Sequence, residues 1–119
     1  MKNMKKLIVL FSLLIAGSSF AQVKNATATF EVDGVCGMCK KRIETAAIKT
    51  KGVKSANWDV KTHELKLFFD GRKTDIETIQ KNIASVGHDT PKFTATEEAY
   101  ESVAPCCKYR DEEVVRDHQ

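Results

Sequence analysis

Between Ala26 and Gly87 the apolar residues change their spacing three times, and that succession leaves few folds open to the chain. Alternation comes first. Ala26, Ala28, Phe30 and Val32 face one way and Thr27, Thr29 and Glu31 the other, as in a strand with one covered face. Asp33-Gly34 breaks the pattern. Over residues 38–50, Cys39, Ile43, Ala46 and Ala47 recur at helical spacing, Lys40 and Glu44 can pair one turn apart on the wet face, and Gly52 ends the helix. Alternation returns over residues 53–60, with Ala56, Trp58 and Val60 on one side, and again at Leu65, Leu67 and Phe69. The short Lys61-Thr62-His63 turn makes these two strands a hairpin. After the Asp70-Gly71 turn, Thr74-Asp75-Ile76-Glu77 has the Thr-x-x-Glu form of a capping box, so a second helix starts there. Its buried stripe is Ile76, Ile79, Ile83 and Val86, and Gly87 stops it.

The remainder is less regular. Residues 90–95 fit a short fourth strand, with Pro91 tolerable at its start or at a sheet edge. Residues 96–103 fit a short helix that Pro105 ends, and the strongly charged residues 111–119 read as a frayed terminus. Strand, helix, strand, strand, helix, strand folds most simply as an α+β sandwich of βαββαβ order, an antiparallel sheet with both helices on one face. Strand directions alternate in that topology. The loop before the first helix, the hairpin turn and the loop after the second helix then share one end, which makes residues 33–38, His63 and His88 neighbours in space.

The first 21 residues read differently. Lys2, Lys5 and Lys6 precede an apolar run over residues 7–16 and a small-residue ending Ser19-Phe20-Ala21, the pattern of a cleaved secretory signal. The run is too short to span a bilayer. Cleavage after Ala21 takes 21 of 119 residues and leaves 98, enough for one small domain. It also takes three lysines, so Lys+Arg falls from 19 to 16 against 16 Asp+Glu. The formal charge of +3 therefore belongs to the leader, and a nucleic-acid partner, which needs a basic face, loses its support. With 42% hydrophobic residues, 6 Gly and 2 Pro, the chain is neither collagen-like nor disordered. The expected organisation is a signal peptide over residues 1–21, a domain over 22–95 and an extension over 96–119. Such a protein is periplasmic or secreted, with no integral membrane segment after cleavage. Disulfides are permitted there, and all four cysteines lie beyond the leader.

Cys36-Gly37-Met38-Cys39 is a Cys-x-x-Cys pair between a strand end and the first turn of a helix. Two sulfurs so placed can converge on one point, and the unpaired N–H groups and positive dipole of the helix start favour thiolate over thiol. Gly37 is expected to let the loop turn tightly. A dithiolate of this kind either cycles with a disulfide or captures a soft metal ion. Two sulfurs suit Cu(I) or Hg(II), whereas Zn(II) usually takes four ligands. Two thiolates on Cu(I) leave one negative charge, which the helix start and Lys40, Lys41 and Arg42 offset in part. A monovalent soft ion is favoured.

The run Phe30-Glu31-Val32-Asp33-Gly34-Val35-Cys36-Gly37-Met38-Cys39-Lys40-Lys41-Arg42-Ile43-Glu44, then Gly52-Val53 and the strand to Val60, and Gly87-His88, resembles the heavy-metal-associated domain family. The family includes copper chaperones, metal-binding modules of copper-transporting ATPases and the periplasmic mercuric-ion-binding protein, and the resemblance covers roughly residues 26–95. It implies a ferredoxin-like fold with Cys36 and Cys39 as metal ligands, transfer by ligand exchange with a partner's thiols, and no bond-making catalysis. Partners would be a metal-transporting membrane protein or another thiol-bearing acceptor. Three departures stand out. The usual Gly-Met-x-Cys entry is here Gly34-Val35-Cys36, one residue shorter, with the Met inside the pair as Met38. His88 replaces the aromatic residue that commonly follows the Gly after the second helix. The chain also continues into Pro105-Cys106-Cys107-Lys108-Tyr109, which the core family does not explain.

Each candidate has a bland counterpart. Cys36 and Cys39 are read as metal ligands over a structural disulfide. Cys106 and Cys107 add ligands to the metal or guard it, or else belong to a structural or mobile tail; a helix over residues 96–103 that folds back is long enough to return them to the first pair. His88 reads as a hydrogen-bonding neighbour before a ligand. His63 and His118 read as loop and tail, and Trp58 and Phe30 as core. Lys40, Lys41 and Arg42 form a solvated face that can steer an acidic partner. Met38 packs the first helical turn against the core before it offers a thioether. Taken together, the sequence describes an exported binder of Cu(I), with Hg(II) as the next ion and Zn(II) if Cys106 and Cys107 complete a four-sulfur site. A thiol-disulfide oxidoreductase is the rival class. It lacks here the Trp-Cys-Gly-Pro-Cys context and the cis-Pro loop of a thioredoxin-like domain.

Overall fold

The three alternating runs become strands β1 (Ala26–Glu31), β2 (Val53–Trp58) and β3 (Glu64–Phe69) of one antiparallel sheet, order β1-β3-β2, in a computed structural model that describes residues 23–118. The expected leader lies outside the described residues. β3 takes the centre because its alternation is the strictest: Leu65, Leu67 and Phe69 are buried and Glu64, Lys66 and Phe68 exposed. Its register sets Phe30 opposite Leu65 on one side and Trp58 opposite the same Leu65 on the other. One face of the sheet is therefore covered. Helices α1 (Gly37–Lys49) and α2 (Ile76–Ser85) cover it, since Ile43 and Ala47 of the first and Ile79 and Ile83 of the second share one core with Trp58, Leu65 and Leu67. Each of the isoleucine and leucine side chains among them contributes about 1.5–3 kcal/mol by leaving water. The arrangement is the ferredoxin-like α+β sandwich. Among the described residues no helix is long and apolar enough to cross a membrane.

The loops gather at one end as the topology requires. The Val32 N–H donates to the His63 carbonyl at 2.9 Å, the Asp33 N–H to the Asp89 carbonyl at 3.0 Å, and His88 Nδ1 lies 2.8 Å from the Asp33 carbonyl.

Four local expectations are corrected. Asp75, not Thr74, caps α2: its carboxylate accepts the Thr78 N–H at 2.7 Å, whereas the Thr74 hydroxyl is buried without a partner. The buried stripe of α2 is Ile79, Gln80, Ile83 and Ala84, and Ile76 stays 40% exposed in the first turn. Gln80 is tolerated inside because its Oε1 accepts the Lys92 N–H at 3.1 Å. No fourth strand forms among the described residues. The Thr90 N–H and hydroxyl both reach the Phe93 carbonyl, at 2.9 and 3.1 Å, closing a local turn around Pro91 that uses up the groups a ladder needs. The charged terminus, finally, is ordered into helix α4 (Glu112–Asp117), capped by the Asp111 carboxylate. Before it comes helix α3 (Glu97–Glu101), capped by Thr96, and a 3-10 turn over Pro105–Cys107.

Candidate metal centre

Cys36 is the extended N-cap residue of α1, with φ −145° and no side-chain cap bond, and Cys39 lies in the first turn. The geometry follows from the sequence: β1 ends at Glu31, just before Asp33-Gly34, and the helical stripe pulls Cys39 inward with Ile43 while Cys36 stays at the rim. Their sulfurs stand 3.5 Å apart. The 3-10 turn brings two more. Cys36 Sγ is 3.4 Å from Cys107 Sγ and 3.7 Å from Cys106 Sγ, and Cys106 and Cys107 are 3.9 Å apart. All four cysteines are free thiols, Cys39 and Cys107 fully buried and Cys36 and Cys106 half-buried. The Cys36, Cys106 and Cys107 sulfurs lie within 4.8 Å of one another, a set that can hold one metal ion.

Electrostatics differentiates these thiols. Partial burial opposes ionisation of Cys36. The Cys39 backbone N–H and hydrogen bonds from the Cys107, Cys39 and Cys106 thiols outweigh it and bring the thiol down to about 7. Burial pushes Cys39 and Cys107 up, and for Cys107 the neighbouring Cys39 and Cys36 add to the effect. Of Cys36, Cys39 and Cys107, Cys36 is thus the one that ionises first. In the reduced, metal-free protein, alkylation by iodoacetamide should fall first on Cys36, rise with pH as its proton leaves, and level off above about 7; peptide mapping that finds Cys107 modified first would contradict this.

The other candidates separate cleanly. His88 is fully buried and outside the three-sulfur set. Its Nδ1–H donates to the Asp33 carbonyl, its ring stacks on Tyr109, and burial lowers its pKa. His63, at φ 63°, stacks on Trp58 at 5.5 Å in the hairpin turn. His118 closes α4, its Nδ1 on the Val114 carbonyl. Met38 does not cap the core; it is 57% exposed, with its sulfur 3.3 Å from Cys106 Sγ. Nor do Lys40 and Arg42 form a merely solvated face. Lys40 Nζ pairs with Glu44 at 2.7 Å, as its spacing predicts, and also donates to the Trp58 carbonyl at 2.7 Å, while the Arg42 guanidinium donates to the Val86 carbonyl at 2.6 Å. The tight approach expected at Gly37 is at Gly34 instead. A Cβ at Gly37 would meet nothing, whereas one at Gly34 would stand 3.0 Å from both Cys39 Cβ and the Trp58 ring.

Residues 29–89, just over half of the chain and including Cys36 and Cys39, match the heavy-metal-associated domain family. The chain belongs to this family. It is accordingly a heavy-metal-binding protein. Among solved structures it is similar to the CopZ metallochaperone, at 26% identity and TM-score 0.53 over 55% of this chain and 98% of that one. It is similar also to the water-soluble region of the P-type ATPase CopA from Bacillus subtilis, at 27% identity and TM-score 0.52 over 56% of this chain and 44% of that one. No curated protein matches the sequence.

The family match of this heavy-metal-associated protein ends at residue 89, and the tail beyond it carries the residues that the sequence did not disclose. The Tyr109 hydroxyl donates to the Gly87 carbonyl at 2.7 Å and accepts the Asp89 N–H at 3.1 Å. Arg110 bonds the Asp89 carboxylate and the Ala95 carbonyl, each at 2.9 Å, and lies 4.3 Å over the Tyr100 ring. Tyr100, Val103 and Cys107 enter the core. The available signal was an aromatic and an arginine directly after the cysteine pair, in Cys106-Cys107-Lys108-Tyr109-Arg110.

Proposed function

We propose that the protein is an exported carrier of Cu(I), that Cys36 and Cys39 take the ion, and that it delivers the ion to, or withholds it from, thiols of a metal-transporting partner. The observation that carries the reading is a Cys-x-x-Cys pair with sulfurs 3.5 Å apart at the start of a 13-residue helix, within a heavy-metal-associated domain 26% identical to the CopZ metallochaperone across 98% of that protein. Soft thiolates select a soft ion, and a helix start offsets the negative charge that two thiolates and Cu(I) leave. Cys36, half-buried and ionising at about 7, gives an incoming thiol an edge to attack, so the ion can move by exchange of ligands with no bond-making catalysis. The likeness to the CopA water-soluble region supports a P-type ATPase as the acceptor. The leader over residues 1–21 supports export to the periplasm or the exterior.

Anaerobic titration of the reduced protein with Cu(I) against a chelator should show tight uptake that Cys36→Ser or Cys39→Ser weakens by at least about 10–100-fold, since even outer-shell partners of a metal are worth that much. Uptake unchanged in both variants would remove the assignment. A carrier should also be nearly inert in insulin reduction, and brisk turnover there would place the protein with the thiol-disulfide oxidoreductases instead.

A further inference from the structure

Resting on that reading, we infer that the C-terminal extension supplies ligands to the same ion: Cys106 and Cys107 join Cys36, with Cys39 beneath, in a cage of at least three sulfurs. The distances carry the inference. With a metal–thiolate bond of about 2.3 Å, two sulfurs bound linearly stand about 4.6 Å apart, three in a plane about 4.0 Å and four in a tetrahedron about 3.8 Å. The observed separations of 3.4, 3.5, 3.7 and 3.9 Å all fall short of the linear value and lie close to the other two. The Cys36, Cys106 and Cys107 thiols are arranged around one centre, all within 4.8 Å of one another, and Cys39 stands beside that set, 3.5 Å from Cys36.

The tail is also fixed for this task. Cys107 is fully buried, and the turn that carries it is held from both sides, by Tyr100 and Val103 in the core before it and by Tyr109 and Arg110 on residues 87–95 after it. Arg42 of α1 reaches across to the Val86 carbonyl and the Ser102 hydroxyl, tying the helix of the first pair to the tail of the second. A mobile tail would need none of these contacts. The consequence is a shared rim: an acceptor that approaches Cys36 meets Cys106 and Met38 there, so release exchanges the thiols of the extension as well as those of the first pair.

X-ray absorption on the reduced, unsubstituted protein loaded with one Cu(I) tests the cage without any substitution. Three or four sulfur neighbours are expected. Cys106→Ser/Cys107→Ser should reduce the number to two, weaken Cu(I) against a chelator by about 10–100-fold, and speed release to a dithiol acceptor. Cys106→Ser alone, at the half-buried position, should reduce the number by one if the double variant misfolds. Two sulfurs in the unsubstituted protein, with affinity indifferent to both serines, would overturn the cage and leave Cys36 and Cys39 as a simple pair. Failure to take up Cu(I) at all would overturn the cage together with the carrier reading beneath it.

Discussion

Replacement of Trp58 by alanine should remove about 3–5 kcal/mol of stability, as truncation of a buried aromatic does, with about 1–3 kcal/mol more for the acceptor left unpaired. The side chain is fully buried at the end of β2, and its Nε1–H donates to the Val32 carbonyl at 3.0 Å. Its ring fills the space against Gly34 and stacks on His63, so one residue ties β1, the hairpin turn and the loop leading to Cys36. A domain of this size holds roughly 5–15 kcal/mol in all, so the variant should be largely unfolded or close to it at 37 °C. Trp58 is the single tryptophan, which makes far-UV circular dichroism in urea the appropriate measurement. Trp58→Phe keeps much of the packing and loses the donor, and should cost about 1–3 kcal/mol. A loss under about 1 kcal/mol for the alanine variant would mean that the ring does not organise the metal-site end of the sheet.

The helices, the hairpin and the position of the Cys-x-x-Cys pair were legible because each rests on a local rule: alternation with one covered face, helical spacing, a turn dipeptide, a ligand motif at a helix start. The errors have a common origin. Residues 90–95 alternate well enough for a strand, but the Thr90 hydroxyl and Pro91 settle a local turn that pattern alone does not weigh. Thr74 and Asp75 both make plausible caps, and the choice fell to the one whose carboxylate reaches the Thr78 N–H. Gly34 and Gly37 look alike in sequence; only the packed structure shows that Cys39 and Trp58 crowd the first and nothing crowds the second. Ile76 sits on the apolar side of its period yet stays exposed in the first turn of α2, and Met38 is exposed because it lies off the Cys39, Ile43, Ala46 and Ala47 stripe of α1. The tail was legible least. Its four anchors, Tyr100, Tyr109, Arg110 and Arg42, act across 10 to 60 residues of sequence, and no periodicity announces a contact of that span.

Gly87→Ala should detach the extension while leaving the three-stranded domain folded, and it does so without touching a sulfur. Gly87 has φ +108°, a conformation that costs an L-residue about 1–2 kcal/mol. A Cβ there would also stand 2.6 Å from the Ala99 carbonyl oxygen and 2.6 Å from Val103, both in the tail, and overpacking of this kind costs about 1–3 kcal/mol more. Of the two sides of that collision, the end of α2 is held by Ile79 and Ile83 in the central core, whereas α3 is five residues long, so the extension gives way. Limited proteolysis should then cut within residues 96–118 at a concentration that spares the parent, with the far-UV spectrum of the remaining domain retained. The sulfur count around bound Cu(I) should fall as it does in Cys106→Ser/Cys107→Ser, because a thiol carried away by its backbone is lost to the ion as surely as one replaced. A protected tail in Gly87→Ala would show that the close approach at this glycine is not what seats the extension. A released tail with the sulfur count unchanged would show that the ion itself, and not the contacts of Tyr100, Tyr109 and Arg110, draws Cys106 and Cys107 to Cys36.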